Sequence, residues 1–486
     1  MALANDDQKR NYVPIEVESL LRWAESREGG FVNQRPSICK VPSILRDLSP
    51  DSFKPQLVSI GPLHKEETNV QEIERLKRTY LHDLLKRPIS PPKQPKTKLE
   101  DCLEKVNSSI AKIKSSYSAT EYSEDQLANM MVMDGCFILE FCLKDISKEQ
   151  TLLSKIQTFR ISIDLMLLEN QIPFFVLQDI FDLTKPDSIS LSLTSLLHEV
   201  LLKDVHPFYI SPNMEFPDEF SLPDVLNNSN HVHVLDCLHK SYQFKSSAIV
   251  DTSCGVCIVP WVTLFKYMYN MCGLLCSCLS KKFETVAART ALNYNHTVVE
   301  LERSGVNFKP QEDKNKAMAM QYVKASACFW WPWRKPITFV MPTLIIQDFT
   351  EVVLRNFIAY EQFNPQVNYY FTSYSCIMDK LIDNEADVGT LVESRVLINH
   401  LGSYKDAATM INSICKNIQV IDDQFYYSEE IKALDEYYNS YWPNSFAHLR
   451  RTYFSTPWSF IALLAGITVL VFTVVPGIYT VMSYHN

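Results

Sequence analysis

Apolar residues recur at helical spacing along most of this chain. Over residues 70–85, Ile73, Leu76, Tyr80 and Leu84 share one face of a 3.6-residue helix. Residues 130–143 are almost wholly apolar, which predicts a central helix buried on most sides. Residues 161–177 read as another helix, with Pro173 expected at a kink or in the first turn of a new one. Later helices are expected from Asp348 to Tyr360 and over 374–381, 388–400 and 405–416. Asp348 and Glu351 have capping-box spacing, with Asp348 as N-cap, and Glu351 and Arg355 stand as an i,i+4 pair. Prolines make residues 38–45 and 58–62 extended or turn pieces. Short runs at 248–250, 257–259 and 337–340 have strand character, too few for a main sheet. The fold class is therefore mainly α, a large helical domain with a few short β pieces.

The C-terminus has a different pattern. No Lys, Arg, Asp or Glu follows Arg451. As a helix, residues 458–480 would span about 34 Å, slightly more than a ~30 Å hydrocarbon core. Their Leu, Ile, Val and Phe residues are worth roughly −4 to −7 kcal/mol on an insertion scale. This predicts one C-terminal transmembrane helix, with Phe460, Leu464 and Val471 in the lipid and Trp458 and Tyr479 as interfacial anchors. Arg450 and Arg451 precede the span, so the positive-inside rule leaves the large domain cytosolic in a single-pass protein, expected at the plasma membrane. The charged N-terminus carries no apolar run and is not a secretory signal. Sequons at Asn107, Asn227 and Asn295 would be exposed to glycosylation only in the opposite orientation.

Composition narrows the chemistry. With 47 basic and 56 acidic residues, the net charge of −9 excludes a non-specific nucleic-acid binder. An odd total of 13 cysteines fits reduced cytosolic thiols better than a disulfide framework. Only 11 glycines are present, and no dinucleotide, Walker A, nucleophile-elbow or HExxH motif occurs. No cofactor is expected. The metal-site candidates are His233 and Cys237, four apart, with Cys254 and Cys257 further on in the sequence, although an amphipathic helix with a polar histidine edge accounts for the same pattern. Cys272, Cys276 and Cys278 form an apolar, cysteine-dense piece that reads as core thiols or as palmitoylation sites.

Asp134, Asp164, Glu169 and Asp348 are carboxylates within apolar segments, where an unpaired charge is costly. They read as helix caps or ion-pair partners, or alternatively as a general acid/base pair. Trp330, Trp331, Trp333 and Arg334 form an aromatic and cationic cluster suited to a partner-binding loop or a packed corner.

These segments resemble the plant family called domain of unknown function 247. The similarity rests on Ile38-Cys-Lys-Val-Pro42, Val58-Ser-Ile-Gly-Pro-Leu-His64, Met133-Asp-Gly-Cys-Phe-Ile-Leu-Glu140, Asp164-Leu-Met-Leu-Leu-Glu-Asn-Gln-Ile-Pro-Phe-Phe-Val-Leu177, Leu301-Glu-Arg-Ser-Gly-Val-Asn-Phe-Lys309 and Tyr453-Phe-Ser-Thr-Pro-Trp458. Leu63 and Lys65 stand where the family usually has an aromatic residue and a second histidine. The resemblance implies a mainly helical domain with a C-terminal membrane anchor and no established enzymatic activity. Some grass members are implicated in self-incompatibility, a recognition role between pollen and stigma.

The expected organisation is a polar tail (1–37), a helical domain (38–451) with a proline-rich linker at 88–96 and a loop at 208–230, the membrane helix (458–480) and a short tail (481–486). The expected function is membrane-anchored protein recognition or scaffolding, with membrane lipid and an unidentified protein as partners. A membrane-associated enzyme using buried carboxylates is the alternative.

Overall fold

The computed structural model describes residues 36–118, 121–208, 231–242, 295–312, 318–323, 337–420 and 424–439, with single positions at 19, 22 and between 458 and 476. The chain divides into two units. One comprises Met1–Pro42, Phe53–Asp204 and Val225–Leu238; the other comprises Ser43–Ser52, Val205–Asp224 and His239–Asn486.

The first unit is helical: α1 (Gln71–Lys86), α2 (Pro95–Ser108), α3 (Ile110–Ser116), α4 (Glu124–Ile146), α5 (Lys155–Asp164), α6 (Phe174–Thr184) and α7 (Leu193–Leu197). Helices α1, α2 and α6 all pack on α4, whose side chains are buried almost continuously over 127–143. A Ser123–Gln126 capping box starts α4 by satisfying two otherwise orphaned N–H groups. Gly135 lets α6 approach closely, since a Cβ there would lie 2.5 Å from the Ile180 Cδ1 atom. Among the described residues α4 is the one helix long and apolar enough to cross a membrane, but its apolar window is 83% buried inside the protein. It is a core helix.

Two expectations in this unit are corrected. The helix over 161–177 is broken: α5 stops at Asp164, residues 165–173 turn without regular structure, and Pro173 is the N-cap of α6. The interruption persists because side chains take over the hydrogen bonds that a helix would have supplied, as detailed below. The proline-rich linker ends earlier than 96, because Pro95 already occupies the first position of α2, where its fixed φ suits a helix start.

Helix α8 (Val234–Ser241) spans the boundary in sequence between the units. The second unit contains α9 (Val298–Ser304), α10 (Thr350–Phe363), α11 (Tyr370–Leu381), α12 (Glu385–Glu393), α13 (Tyr404–Ile414) and α14 (Ser428–Tyr438). A three-stranded sheet has the order β1 (Val306–Pro310), β3 (Ile337–Met341), β2 (Gln321–Val323). Strand β3 runs parallel to β1 and antiparallel to β2, placing Phe308 opposite Phe339. A separate parallel pair joins β4 (Leu344–Ile346) to β5 (Leu397–Asn399).

Asp348 is exposed and is not a helix cap. Phe349 holds the N-cap position of α10 without a side-chain cap, while the Thr350 hydroxyl accepts from Gln347 N at 2.9 Å and donates to the Ile345 carbonyl at 2.9 Å. The Glu351–Arg355 pair forms as expected, at 2.8 Å. The helix expected over 388–400 ends at Glu393. Arg395 adopts a φ of 61°, which terminates it, and the following residues join β4 as β5. Of the strand candidates, 337–340 falls within β3, whereas 248–250 and 257–259 lie outside the described residues. So does the 208–230 loop beyond Phe208.

Candidate functional site

Residues 56–61 of the first unit form no strand, yet most of this stretch is buried. Buried peptide groups need partners, and here side chains supply them. Asp164, at the end of α5, accepts from three consecutive amides: Gln56 at 3.0 Å, Leu57 at 2.7 Å and Val58 at 2.9 Å. Asn170 takes both sides of the next peptides, its Oδ1 accepting from Ile60 N at 2.6 Å and its Nδ2 donating to the Val58 carbonyl at 2.9 Å. From α4, Asp134 accepts from Gly61 N at 2.9 Å. Lys77 of α1 donates to Asp134 at 2.6 Å and to the Ser59 carbonyl. The carboxylates and the amide thus act as a ladder in place of a neighbouring strand.

Asn170 Nδ2 also donates to the Asp164 carbonyl at 2.8 Å. Gln171 Nε2 donates to the carbonyls of Leu165 and Leu167, both at 2.8 Å. These bonds tie down the irregular 165–173 turn. Gly61 has a φ of +75°, and a Cβ on it would sit 2.5 Å from the Gln171 carbonyl oxygen. Glycine is required there on both counts.

Glu169 closes the cluster. One oxygen accepts from Val41 N at 2.7 Å; the other meets His64 Nε2 at 2.9 Å. His64 Nδ1 faces Glu67 at 3.6 Å, and Glu67 pairs with Lys54 at 2.8 Å. The hydrogen bond from Lys54 holds the Glu67 carboxyl below its ordinary range. Burial raises the Asp164 carboxyl above its ordinary range despite its three amide donors, and burial beside Glu169 raises the Cys39 thiol.

The second unit repeats the device. Glu361 of α10 accepts from Phe371 N at 2.9 Å and Thr372 N at 2.7 Å, at the first turn of α11, where the helix dipole favours an anion. Its third partner is His239 Nε2 at 2.7 Å, a ring enclosed by Phe357, Tyr360, Tyr370 and Phe371.

Of the expected site residues, Asp134, Asp164 and Glu169 are brought together; Asp348 is not. His64, Lys77, Asn170 and Gln171 complete the cluster. His64, Asn170 and Gln171 lie inside the family-like strings quoted above, whereas Lys77 gave no signal beyond a cation on the apolar face of α1. His233 is fully buried, with Nδ1 accepting from Asp236 N at 3.1 Å, and Cys237 is buried beside it. Among the described residues no three His, Cys, Asp or Glu side chains converge as a metal site.

Trp330, Trp331, Trp333 and Arg334 lie outside the described residues, as do Cys254, Cys257, Cys272, Cys276, Cys278, Phe460, Leu464, Val471 and Tyr479. Trp458 is helical and exposed. A cleft of about 290 Å³ between the end of α4 and the start of α5, lined by Phe141, Asp145, Leu153, Lys155 and Phe159 among others, shares no residue with the carboxylate cluster.

Two proteins of Arabidopsis thaliana resemble the chain over nearly its whole length. UPF0481 protein At3g47200 is 27% identical over 465 residues, covering 92% of this chain and 87% of the relative. Putative UPF0481 protein At3g02645 is 26% identical over 507 residues, covering 92% and 90%. No solved structure matches it. The profile of DUF247, described as a plant protein of unknown function, runs over residues 38–472 and so takes in the entire Asp134–Asp164–Glu169 cluster. On that match the chain belongs to the plant DUF247 family.

Proposed function

We propose that this protein is a membrane-anchored recognition or scaffold protein, held by its C-terminal helix, with its helical units on the cytosolic face of the plasma membrane. The observation that carries the anchor is exposure. Trp458, Ile461, Val469 and Phe472 are helical and 54–77% exposed, within a stretch that has no Lys, Arg, Asp or Glu after Arg451. Large apolar side chains exposed on helical backbone favour a hydrocarbon surround over water. A non-catalytic role is supported by the buried carboxylates, whose oxygens are engaged by backbone amides, Lys77 and His64. The aromatic and cationic cluster at 330–334 is the proposed partner contact.

Alkaline carbonate extraction of vesicles tests the anchor. The full chain stays in the pellet, and a chain truncated after Arg451 is released; release of both refutes anchoring. Asn107 and Asn295 are exposed, so the absence of glycans at both, with glycans on an engineered sequon beyond residue 480, supports the cytosolic orientation. Glycans at Asn107 or Asn295 would overturn it. Proximity labelling with Trp330, Trp331 and Trp333 replaced by alanine tests recognition, which predicts loss of specific neighbours.

A further inference from the structure

Residues 87–94 of the first unit join α1 to α2 without regular structure, and Ser90, Pro91, Pro92 and Lys93 are all exposed. Pro88, Pro91 and Pro92 keep this stretch out of helix. Its start is fastened from within the unit. Lys98 donates to the Arg87 carbonyl at 2.6 Å, and the Arg87 guanidinium is held by Glu140 at 2.7 Å. Its middle is tied at the surface by Asp187, in the loop after α6. That carboxylate accepts from the Ser90 amide at 3.1 Å and from the Ser90 hydroxyl at 2.8 Å. Both residues are exposed, so the clasp opens at little cost.

The chain holds four Ser-Pro or Thr-Pro dipeptides, beginning at Ser49, Ser90, Ser211 and Thr456. Ser90 is the one with a cation three positions on, Lys93; in the others Ser52, Met214 and Ser459 stand there. An exposed, irregular Ser90-Pro-Pro-Lys93 segment offers the backbone and charge that a proline-directed serine kinase selecting a downstream cation reads. Ser49, by contrast, is half-buried, and its hydroxyl pairs with that of Ser52 at 2.7 Å.

We propose that Ser90 is a phosphorylation site and that its phosphate holds the Ser90–Asp187 clasp open. The Ser90 Oγ atom bonds to the γ-phosphorus of ATP while the bond from that phosphorus to the β–γ bridging oxygen breaks. ADP leaves, and the hydroxyl proton passes to the catalytic base of the kinase. The kinase acts on the open clasp, because the hydroxyl must leave Asp187 in order to attack. The product carries about −1.5 to −2 charges at pH 7 and lacks the hydroxyl hydrogen that Asp187 accepts. Phosphate and carboxylate then repel each other across the former hydrogen bond, and the linker parts from the loop after α6. Lys93, the cation within the linker, is already engaged by Asp101 at 2.6 Å. Use of the site in cells rests on the cytosolic orientation proposed above, whereas the assay on purified chain does not.

The full chain in detergent micelles is incubated with a purified cyclin-dependent kinase and ATP, then digested with trypsin. Ser90 is the only hydroxyl-bearing residue of the tryptic peptide 87–93, so a phosphoryl group there is assigned directly. It should enter that peptide faster than the one carrying Ser49. Asp187→Ala frees the hydroxyl and should speed the reaction about two- to fivefold, the worth of an exposed charged contact. Hydrogen exchange at the Ser90 amide should rise on phosphorylation to the rate seen in unphosphorylated Asp187→Ala, and phosphorylating that variant should add nothing. No phosphate on Ser90 in the folded chain, equal rates at Ser49, or a Ser90 amide as protected after phosphorylation as before would each overturn the proposal.

Discussion

Lys77 and Asp134 offer the sharpest test of the buried polar ladder, because both side chains are wholly removed from solvent. Lys77→Met keeps the length of the side chain and removes its charge. Asp134 then keeps one partner, the Gly61 amide, and the Ser59 carbonyl loses its donor. Leaving one member of a buried pair uncompensated costs about 3–5 kcal/mol. Asp134→Asn is milder, since Glu74 still pairs with Lys77. The asparagine oxygen can serve either Lys77 or Gly61 while its amide group meets the other donor, a loss of about 1–3 kcal/mol. The double variant has neither stranded charge, so the two effects should fall short of additivity by about 1–3 kcal/mol. Urea unfolding read by alkylation of Cys136 and Cys142, both buried in α4, reports on the first unit specifically. Additivity within about 0.5 kcal/mol, or a Lys77→Met loss below about 1 kcal/mol, would refute the claim that this pair is coupled through the buried ladder.

Further outcomes follow from other positions. Burial lowers the His198 pKa to about 4, so the unfolded chain takes up that proton first and stability falls as pH drops from about 6.5 towards 4. The step from pH 7 to pH 5 should cost the wild type roughly 2 kcal/mol more than His198→Gln, measured by urea midpoints at both pH values. Gly61→Ala meets both a positive φ and a backbone oxygen and should cost at least about 2 kcal/mol by the same thiol-alkylation assay. Gly135→Ala meets only the mobile end of Ile180, and a helix-propensity gain of roughly 1 kcal/mol offsets the contact, so its midpoint should barely move. Glu361→Gln cannot accept from Phe371, Thr372 and His239 as the carboxylate does and should lose about 2–3 kcal/mol, read by alkylation of Cys376 in α11.

Periodicity reported α1 and α4 well, since a stripe or a continuous run of apolar residues over 14 or more positions has few other solutions. It failed over 161–177 because Leu165, Met166, Leu167 and Leu168 are buried whether the backbone is helical or turned. What separates the two states is the set of partners for Asp164, and those amides lie 106–108 residues away in the chain. No local window contains that information. The costliness of buried carboxylates was readable; the donors that satisfy them were not. Capping chemistry shows the same limit. Ser123, Ser154, Thr297 and Asn384 each close a capping box with a polar residue three positions on. Asp348 and Glu351 have equivalent spacing and do not, because Phe349 turns into the core at 7% exposure and takes the N-cap position, leaving Asp348 in solvent.

The ladder also bears on why a family-like string need not mark an active site. A general acid or base must present a free oxygen lone pair to a substrate, and its pKa must be set by surroundings the substrate can enter. Asp164 has three amides on its carboxylate, Asp134 an amide and an ammonium, Glu169 an amide and an imidazole. Each is held by a segment 57 or more residues distant, and each is at most 2% exposed. Those are the properties of groups that fasten distant pieces of chain together, where a lost partner shows as lost stability. The 165–173 turn, with Asn170 and Gln171 clasping its own carbonyls, keeps Asp164 and Glu169 in register with residues 56–58 and Val41.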